Sequence, residues 1–217
     1  MTTRDWHAWH APYDDAGSPL AIRLAIVQRR IREALDAAPA GPLRVVSICA
    51  GQGRDLIGAL RDHPRRGDVT ARLVELDERN VEAAREAARE AGLGGVQVVA
   101  GDAGLSDAYA GAVPAGLVLV CGVFGNVVDA DIAHLIQRLP ELCAPGATAI
   151  WTRHRLPPDL TPSIRGWFVR AGFDEIGFDA PDGTILSVGA ARLSGAPRPL
   201  ERGVRLFHFV GFDALRA

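Results

Sequence analysis

The chain has 217 residues, 48% of them hydrophobic and 23% charged, with a formal net charge of −2. That is the balance of a folded globular chain, and no basic excess argues for a nucleic acid or an anionic membrane as partner. All 24 basic residues are arginine, which excludes any chemistry that needs a lysine amine of this chain, such as Schiff bases and the phosphate-binding P-loop.

Met1–His10 has no apolar core of a signal peptide, and the longest apolar run, Ala112–Cys121, carries Pro114 and Gly116 and is too short to span a bilayer. Three cysteines, Cys49, Cys121 and Cys143, form no CxxC pair. An odd, unpaired set fits neither a disulfide framework nor a structural zinc site, so a cytoplasmic location is expected.

Residues 1–17 are aromatic-rich and read as a segment ahead of a single domain over 18–217. Ser18–Ala38 is an amphipathic helix with Leu20, Leu24, Val27, Ile31 and Leu35 on one stripe. Strands are expected at Leu43–Cys49, Val69–Leu76, Val96–Ala100, Leu117–Cys121 and Thr148–Thr152. Helices are expected after the first strand to about Asp62, then at Glu78–Ala91, Asp129–Leu142 and Thr161–Ala171, the last with Thr161 as cap and Pro162 at its first position. Three further apolar segments, Phe173–Asp179, Ile185–Leu193 and Arg205–Phe212, compete for an end that usually takes two strands. Alternation of this kind gives an α/β doubly wound, Rossmann-like sheet, mostly parallel with an antiparallel C-terminal strand and helices on both faces.

In such a sheet ligands bind outside the carboxyl ends of the strands. After the first strand comes Cys49-Ala50-Gly51-Gln52-Gly53, a Gly-x-Gly turn that lets a ligand approach the backbone. A dinucleotide fingerprint would have a third glycine where Leu56 stands, which disfavours a nucleotide-dependent oxidoreductase. After the second strand comes Asp77, followed by Glu78; the acid can accept two ribose hydroxyls or simply cap the next helix. Glu75 points to the same side but is less terminal. After the third strand Asp102-Ala103 offers an acceptor and an N–H to a base, and after the fourth Cys121-Gly122-Val123-Phe124-Gly125 is an irregular glycine-rich stretch.

This layout resembles the class I S-adenosylmethionine-dependent methyltransferase family over about residues 43–152. The resemblance implies that Cys49, Ala50, Gly51 and Gly53 hold the methionine part of S-adenosylmethionine, Asp77 with Glu78 the ribose, and Asp102 with Ala103 the adenine. Cys121, Gly122 and Val123 would lie along the methionyl group. Ser47 and Cys49 stand where the family often has an acid and a glycine, a departure that keeps a non-catalytic S-adenosylmethionine-binding module as an alternative. Val123-Phe124-Gly125 is not the Asn/Asp-Pro-Pro-aromatic box of enzymes that methylate nucleobase or glutamine amino groups.

The segment Trp6–Asp15 lies where the family often places a lid, with Tyr13 expected on the cofactor, His7 or His10 facing the acceptor, and Arg23 on the methionyl carboxylate. His154, after the fifth strand, is the first candidate for a general base, with His10 the second. No metal is expected. The expected activity is methyl transfer to an O or N atom of a small molecule by a monomer or homodimer, the chain being too short for a separate target-recognition domain. An RNA or protein acceptor is the alternative, and the lack of a basic face weighs against RNA.

Overall fold

A computed structural model describes residues 5–212 and residue 215; residues 1–4 of the expected lid lie outside the described residues. Five helices are formed by Pro19–Ala37 (α1), Arg54–Leu60 (α2), Glu78–Glu90 (α3), Asp129–Arg138 (α4) and Thr161–Arg170 (α5). Seven strands, Leu43–Ile48 (β1), Val69–Glu75 (β2), Val96–Ala100 (β3), Ala115–Val120 (β4), Cys143–His154 (β5), Phe173–Asp179 (β6) and Leu186–Leu193 (β7), make one sheet in the order β3-β2-β1-β4-β5-β7-β6. All neighbours pair parallel except β7, which is antiparallel to both β5 and β6.

The apolar runs read as strands because both faces are covered. In β4, Leu117 and Leu119 face the core shared with α1, α2 and α3, whereas Val118 and Val120 face the core shared with α4 and α5. The stripe of α1 buries Val27, Ile31 and Leu35 as its spacing requires, and Ser18 caps it by accepting from the Ala21 N–H at 3.0 Å. At the other end Arg65 donates to the Leu35 carbonyl in the last turn and to those of Ala38, Pro39 and Gly41 just beyond it, at 2.6–2.9 Å. On the opposite face Trp151 stacks on Phe168 at 5.8 Å, and Gly189 on β7 makes room for it, since a Cβ there would lie 2.2 Å from the indole.

Two expectations need correction. Arg205–Phe212 is not a strand: its one ladder contact is a bridge between Leu105 and Arg205. The chain instead runs as a strap across the ends of β3 and β4. The cap of α5 is Leu160, and Thr161 is already helical, its N–H and hydroxyl both donating to Asp159 Oδ1 at 2.9 and 2.8 Å.

The order β3-β2-β1-β4-β5 means the chain winds outward in opposite directions from β1 and from β4. The crevice above their carboxyl ends is the switch point where such folds take ligands.

Candidate active site

Three residues in five after β1 adopt left-handed backbone: Cys49 (φ 50°), Gly51 (φ 55°) and Gly53 (φ 67°). The turn is fixed from the neighbouring strand. Glu75, the last residue of β2 and almost fully buried, accepts from the Gly51 N–H at 2.8 Å through one oxygen and from the Asp77 N–H at 2.9 Å through the other. Asp77 caps α3 by accepting from the Arg79 N–H at 3.0 Å. The Arg79 guanidinium holds the Asp77 carboxyl below the usual range, and it also grips Asp5 at 2.8 Å. After β3, Asp102 accepts from the Gly104 N–H at 2.8 Å and from Arg205 of the strap at 2.5 Å. Burial alone would raise this carboxyl, but Arg205 and the Gly104 N–H turn the shift downward.

These ends floor a cavity of about 370 Å3, within the usual range of small-molecule sites. Two pieces of chain from outside the sheet wall it. One is the 3-10 segment Ala8–Asp14. Its His10 is 8% exposed and donates from Nδ1 to the Trp6 carbonyl at 2.7 Å, which leaves the Nε2 lone pair over Gly51, where a Cβ would sit only 2.4 Å away. Burial lowers the His10 pKa, so the ring is neutral near pH 7. Tyr13 accepts from Arg23 at 2.7 Å, and Arg23 lies over the Trp9 ring. The other piece is the strap, which places Phe207 and Phe209 on the cavity and packs Phe209 against Trp6 at 5.2 Å.

A second cavity of about 210 Å3 adjoins the first and shares Trp6, Trp9, Arg23, Gly122 and Asn126 with it. Asn126 is the joint. Its side chain donates to the Gly122 carbonyl at 2.6 Å and accepts from the Phe212 N–H at 3.0 Å, while its carbonyl takes the Val210 and Gly211 N–H groups. The Gly122 N–H donates to Thr152 Oγ1 at 2.8 Å, tying β4 to β5. Arg153 and His154 of β5 line this second cavity, and Arg153 donates to the Phe124 carbonyl. His154 Nδ1 accepts from the Leu156 N–H at 3.3 Å. Arg155 is spent on structure, donating to the Thr184 and Leu186 carbonyls.

A family model described as "Putative methyltransferase" matches residues 19–165, more than half of the chain. The chain belongs to this methyltransferase family. No curated protein matches the sequence. Solved structures with a similar fold include an O-methyltransferase family protein from Burkholderia thailandensis (TM-score 0.60, 19% identity, covering 81% of this chain and 59% of that one). Magnesium protoporphyrin IX methyltransferase from Synechocystis PCC 6803, solved with bound S-adenosylmethionine, is another (TM-score 0.66, 15% identity, 89% of this chain and 100% of that one). An RNA methyltransferase from Salinibacter ruber in complex with S-adenosylhomocysteine is a third (TM-score 0.52, 20% identity, 81% and 96%). At these identities the likeness is one of fold, and the chain spans less than two thirds of the Burkholderia protein. The family match bears out the expected methyltransferase family, and the similar structures bear out its Rossmann-like sheet.

The methyltransferase fold brings most of the expected site residues together. Tyr13, Arg23, Cys49, Ala50, Gly51, Asp77, Asp102, Ala103, Cys121 and Gly122 all line the first cavity, and so does His10. His154 lines the second. Gly53, Glu78 and Val123 line neither. A Cβ at Gly53 would meet Ile57 and Leu73 at 2.8 and 2.9 Å, so its role is packing within the turn. Glu78 is exposed on α3 and Val123 is fully buried in the core. Sequence reasoning undervalued Glu75 and did not find Asp55, Asn80, Phe207 or Phe209, all of which line the first cavity. Asp55 follows the Gly-x-Gly turn directly and was within reach of strand-end logic; burial raises its pKa. Phe207 and Phe209 carry no local signal, because only the fold brings the strap to the site. No helix of the described residues is long and apolar enough to cross a membrane.

Proposed function

We propose that the chain binds S-adenosylmethionine in the first cavity and passes its methyl group to a small molecule held in the second. The observation that carries this reading is the shared wall: Trp6, Trp9, Arg23, Gly122 and Asn126 border both cavities, so a group held in one meets a group held in the other.

The donor set fits the cofactor piece by piece. Ribose hydroxyls need acceptors, and Glu75 at the end of β2 and Asp77 two residues beyond it both line the cavity. Glu75 already takes two N–H groups, but a carboxylate has about four lone-pair positions and keeps room for more. A base needs flat apolar walls and a polar edge. Leu76 is 72% exposed yet lines the cavity, opposite chemistry to its setting, and Ala103, Phe207 and Asp102 complete such a slot. A methionyl end carries a carboxylate and an ammonium. Arg23 supplies a cation for the first, and the neutral Nε2 of His10 supplies an acceptor for the second.

S-adenosylmethionine, when bound, supplies a methyl group already activated on a sulfonium. The protein's share is to orient the two partners and exclude water, for which effective molarity alone supplies about 7–11 kcal/mol. Ala8–Asp14 and the strap do the excluding; deleting residues 1–14 therefore weakens both binding and turnover.

Calorimetric titration with S-adenosylmethionine and S-adenosylhomocysteine tests the reading. Micromolar binding is expected, with Glu75→Ala losing about tenfold or more, the worth of a hydrogen bond to a charged group. Asp77→Ala loses less, because its carboxylate is shared with Arg79 and the helix cap. An unchanged affinity in Glu75→Ala would sink the placement of the ribose.

A further inference from the structure

The wall between the two cavities also bears on the chemistry of the acceptor, an inference that rests on the reading just given. The second cavity has a volume of about 210 Å3. That is enough for one or two rings, since an apolar cavity of about 150 Å3 takes a benzene molecule. Trp6, Trp9, Leu156, Ile185 and Phe212 give it apolar and largely aromatic walls. Among the described residues no Asp or Glu lines it. Arg153 and His154 do, and both are held by the surrounding chain.

Arg23 stands differently. It borders both cavities, with its guanidinium 5.7 Å from the centre of the Trp9 ring, which borders both as well. One of its five N–H groups goes to Tyr13, and no carboxylate pairs with it among the described residues. Asp55 of the first cavity feels its charge, but one oxygen of that acid already takes the Leu56 N–H at 2.7 Å. Four donors of Arg23 are left, enough for the methionyl carboxylate on one side and a second carboxylate on the other. Thr152, also on the wall of the second cavity, accepts from the Gly122 N–H, which leaves its own hydroxyl proton to donate. Spare donors with no carboxylate beside them suit an anion, and so does a sulfonium held across the shared wall.

We propose that the acceptor is a small aromatic carboxylic acid, held by Arg23 at the shared wall and methylated on its carboxylate. Such an acid is already ionised near pH 7, so no side chain has to take a proton from it. The transfer therefore asks nothing of His154 as a base. One carboxylate oxygen forms its bond to the methyl carbon as the methyl–sulfur bond breaks, and the electron pair stays on sulfur. The products are a methyl ester and S-adenosylhomocysteine, neutral at sulfur, and no proton is released.

The test titrates the full chain, saturated with S-adenosylhomocysteine, with benzoate and 2-naphthoate and with the matching neutral amides. The carboxylates are expected to bind about tenfold or more tighter than the amides, the worth of a hydrogen bond to a charged group. Arg23→Gln is expected to abolish that preference, and Arg23→Lys, which keeps the charge, to retain part of it. With S-adenosylmethionine labelled in its methyl group, the label is expected in a product from which alkali releases methanol, as it does from an ester and not from an ether or a methylamine. Amides that bind as tightly as the acids, a preference that survives Arg23→Gln, or label that is alkali-stable or reaches neither acid would overturn the proposal. Calorimetric binding of S-adenosylhomocysteine would in each case leave the cofactor reading standing. If S-adenosylhomocysteine fails to bind and the chain alone still prefers the carboxylates through Arg23, the cofactor reading falls and the carboxylate site stands.

Discussion

Arg205 donates to Asp102 across 2.5 Å, so a residue of the C-terminal strap is gripped by the carboxylate that follows β3. The strap is fastened again at Asp107, which takes Arg202 and the Gly203 N–H, at Asp131, which takes the His208 N–H, and at Asn126. Both partners of the Arg205–Asp102 pair are over a third exposed, and exposed pairs contribute at most about 1 kcal/mol. Arg205→Ala is therefore expected to weaken S-adenosylhomocysteine binding no more than about fivefold and to speed proteolysis within 204–212. Asp102→Ala loses the Gly104 bond as well and is expected to bind more weakly still, as calorimetry on both variants would read.

Cys49 sits at φ 50°, a conformation that glycine adopts freely and other residues at a cost of about 1 kcal/mol or more. Cys49→Gly is expected to leave thermal stability within about 1 kcal/mol of the parent, with the cofactor affinity intact. Cys49→Val, branched at Cβ, is expected to lower stability by about 2 kcal/mol or more. Denaturant midpoints of the two variants check this pair of signs.

Burial depresses the His10 pKa, so unfolding lets the ring take up a proton that the docked ring refuses. The stability this residue contributes is then whole above the ordinary histidine value of about 6.5 and is lost as pH falls below it. Protease resistance of the Ala8–Asp14 segment is expected to drop between about pH 6.5 and pH 5. His10→Asn, which keeps a donor for the Trp6 carbonyl, is expected to flatten that limb. Gly51→Ala puts a methyl 2.4 Å from Nε2 and is expected to undock the segment at every pH.

Arg65 closes the end of α1 with one planar group that reaches four carbonyls. A lysine at this position presents a single nitrogen and cannot span them. Arg65→Lys is expected to destabilise the protein by about 2–3 kcal/mol in chemical denaturation, although charge and approximate length are kept. A loss below about 0.5 kcal/mol would show that water replaces the guanidinium without penalty.

The sheet was legible in the sequence because five apolar runs are separated by helical patterns, and strand-end logic then found Gly51, Asp102 and Gly122 without coordinates. Asp77 was legible as a cavity residue, but the burial of Glu75 was not, since that depends on the Gly51 N–H arriving from another strand. β5 runs well beyond Thr148–Thr152, starting at Cys143, because Pro145-Gly146 reads as a turn yet is accommodated where the register with β4 shifts. Arg205–Phe212 misled for a physical reason. Leu206 and Phe207 are buried, as in a strand, but the segment's amide groups find carboxylates and single carbonyls instead of a sheet edge.

The strap follows all seven strands in the chain, yet Phe207 and Phe212 each wall one of the two cavities. During synthesis the sheet and its crevice can therefore assemble while the site is still unroofed on one side. Residues 204–212 are the last part of the described cavity walls to be synthesised, and they bring Leu206 and Phe207 to the core on that face at the same time, so roofing the crevice and closing the core are one late event.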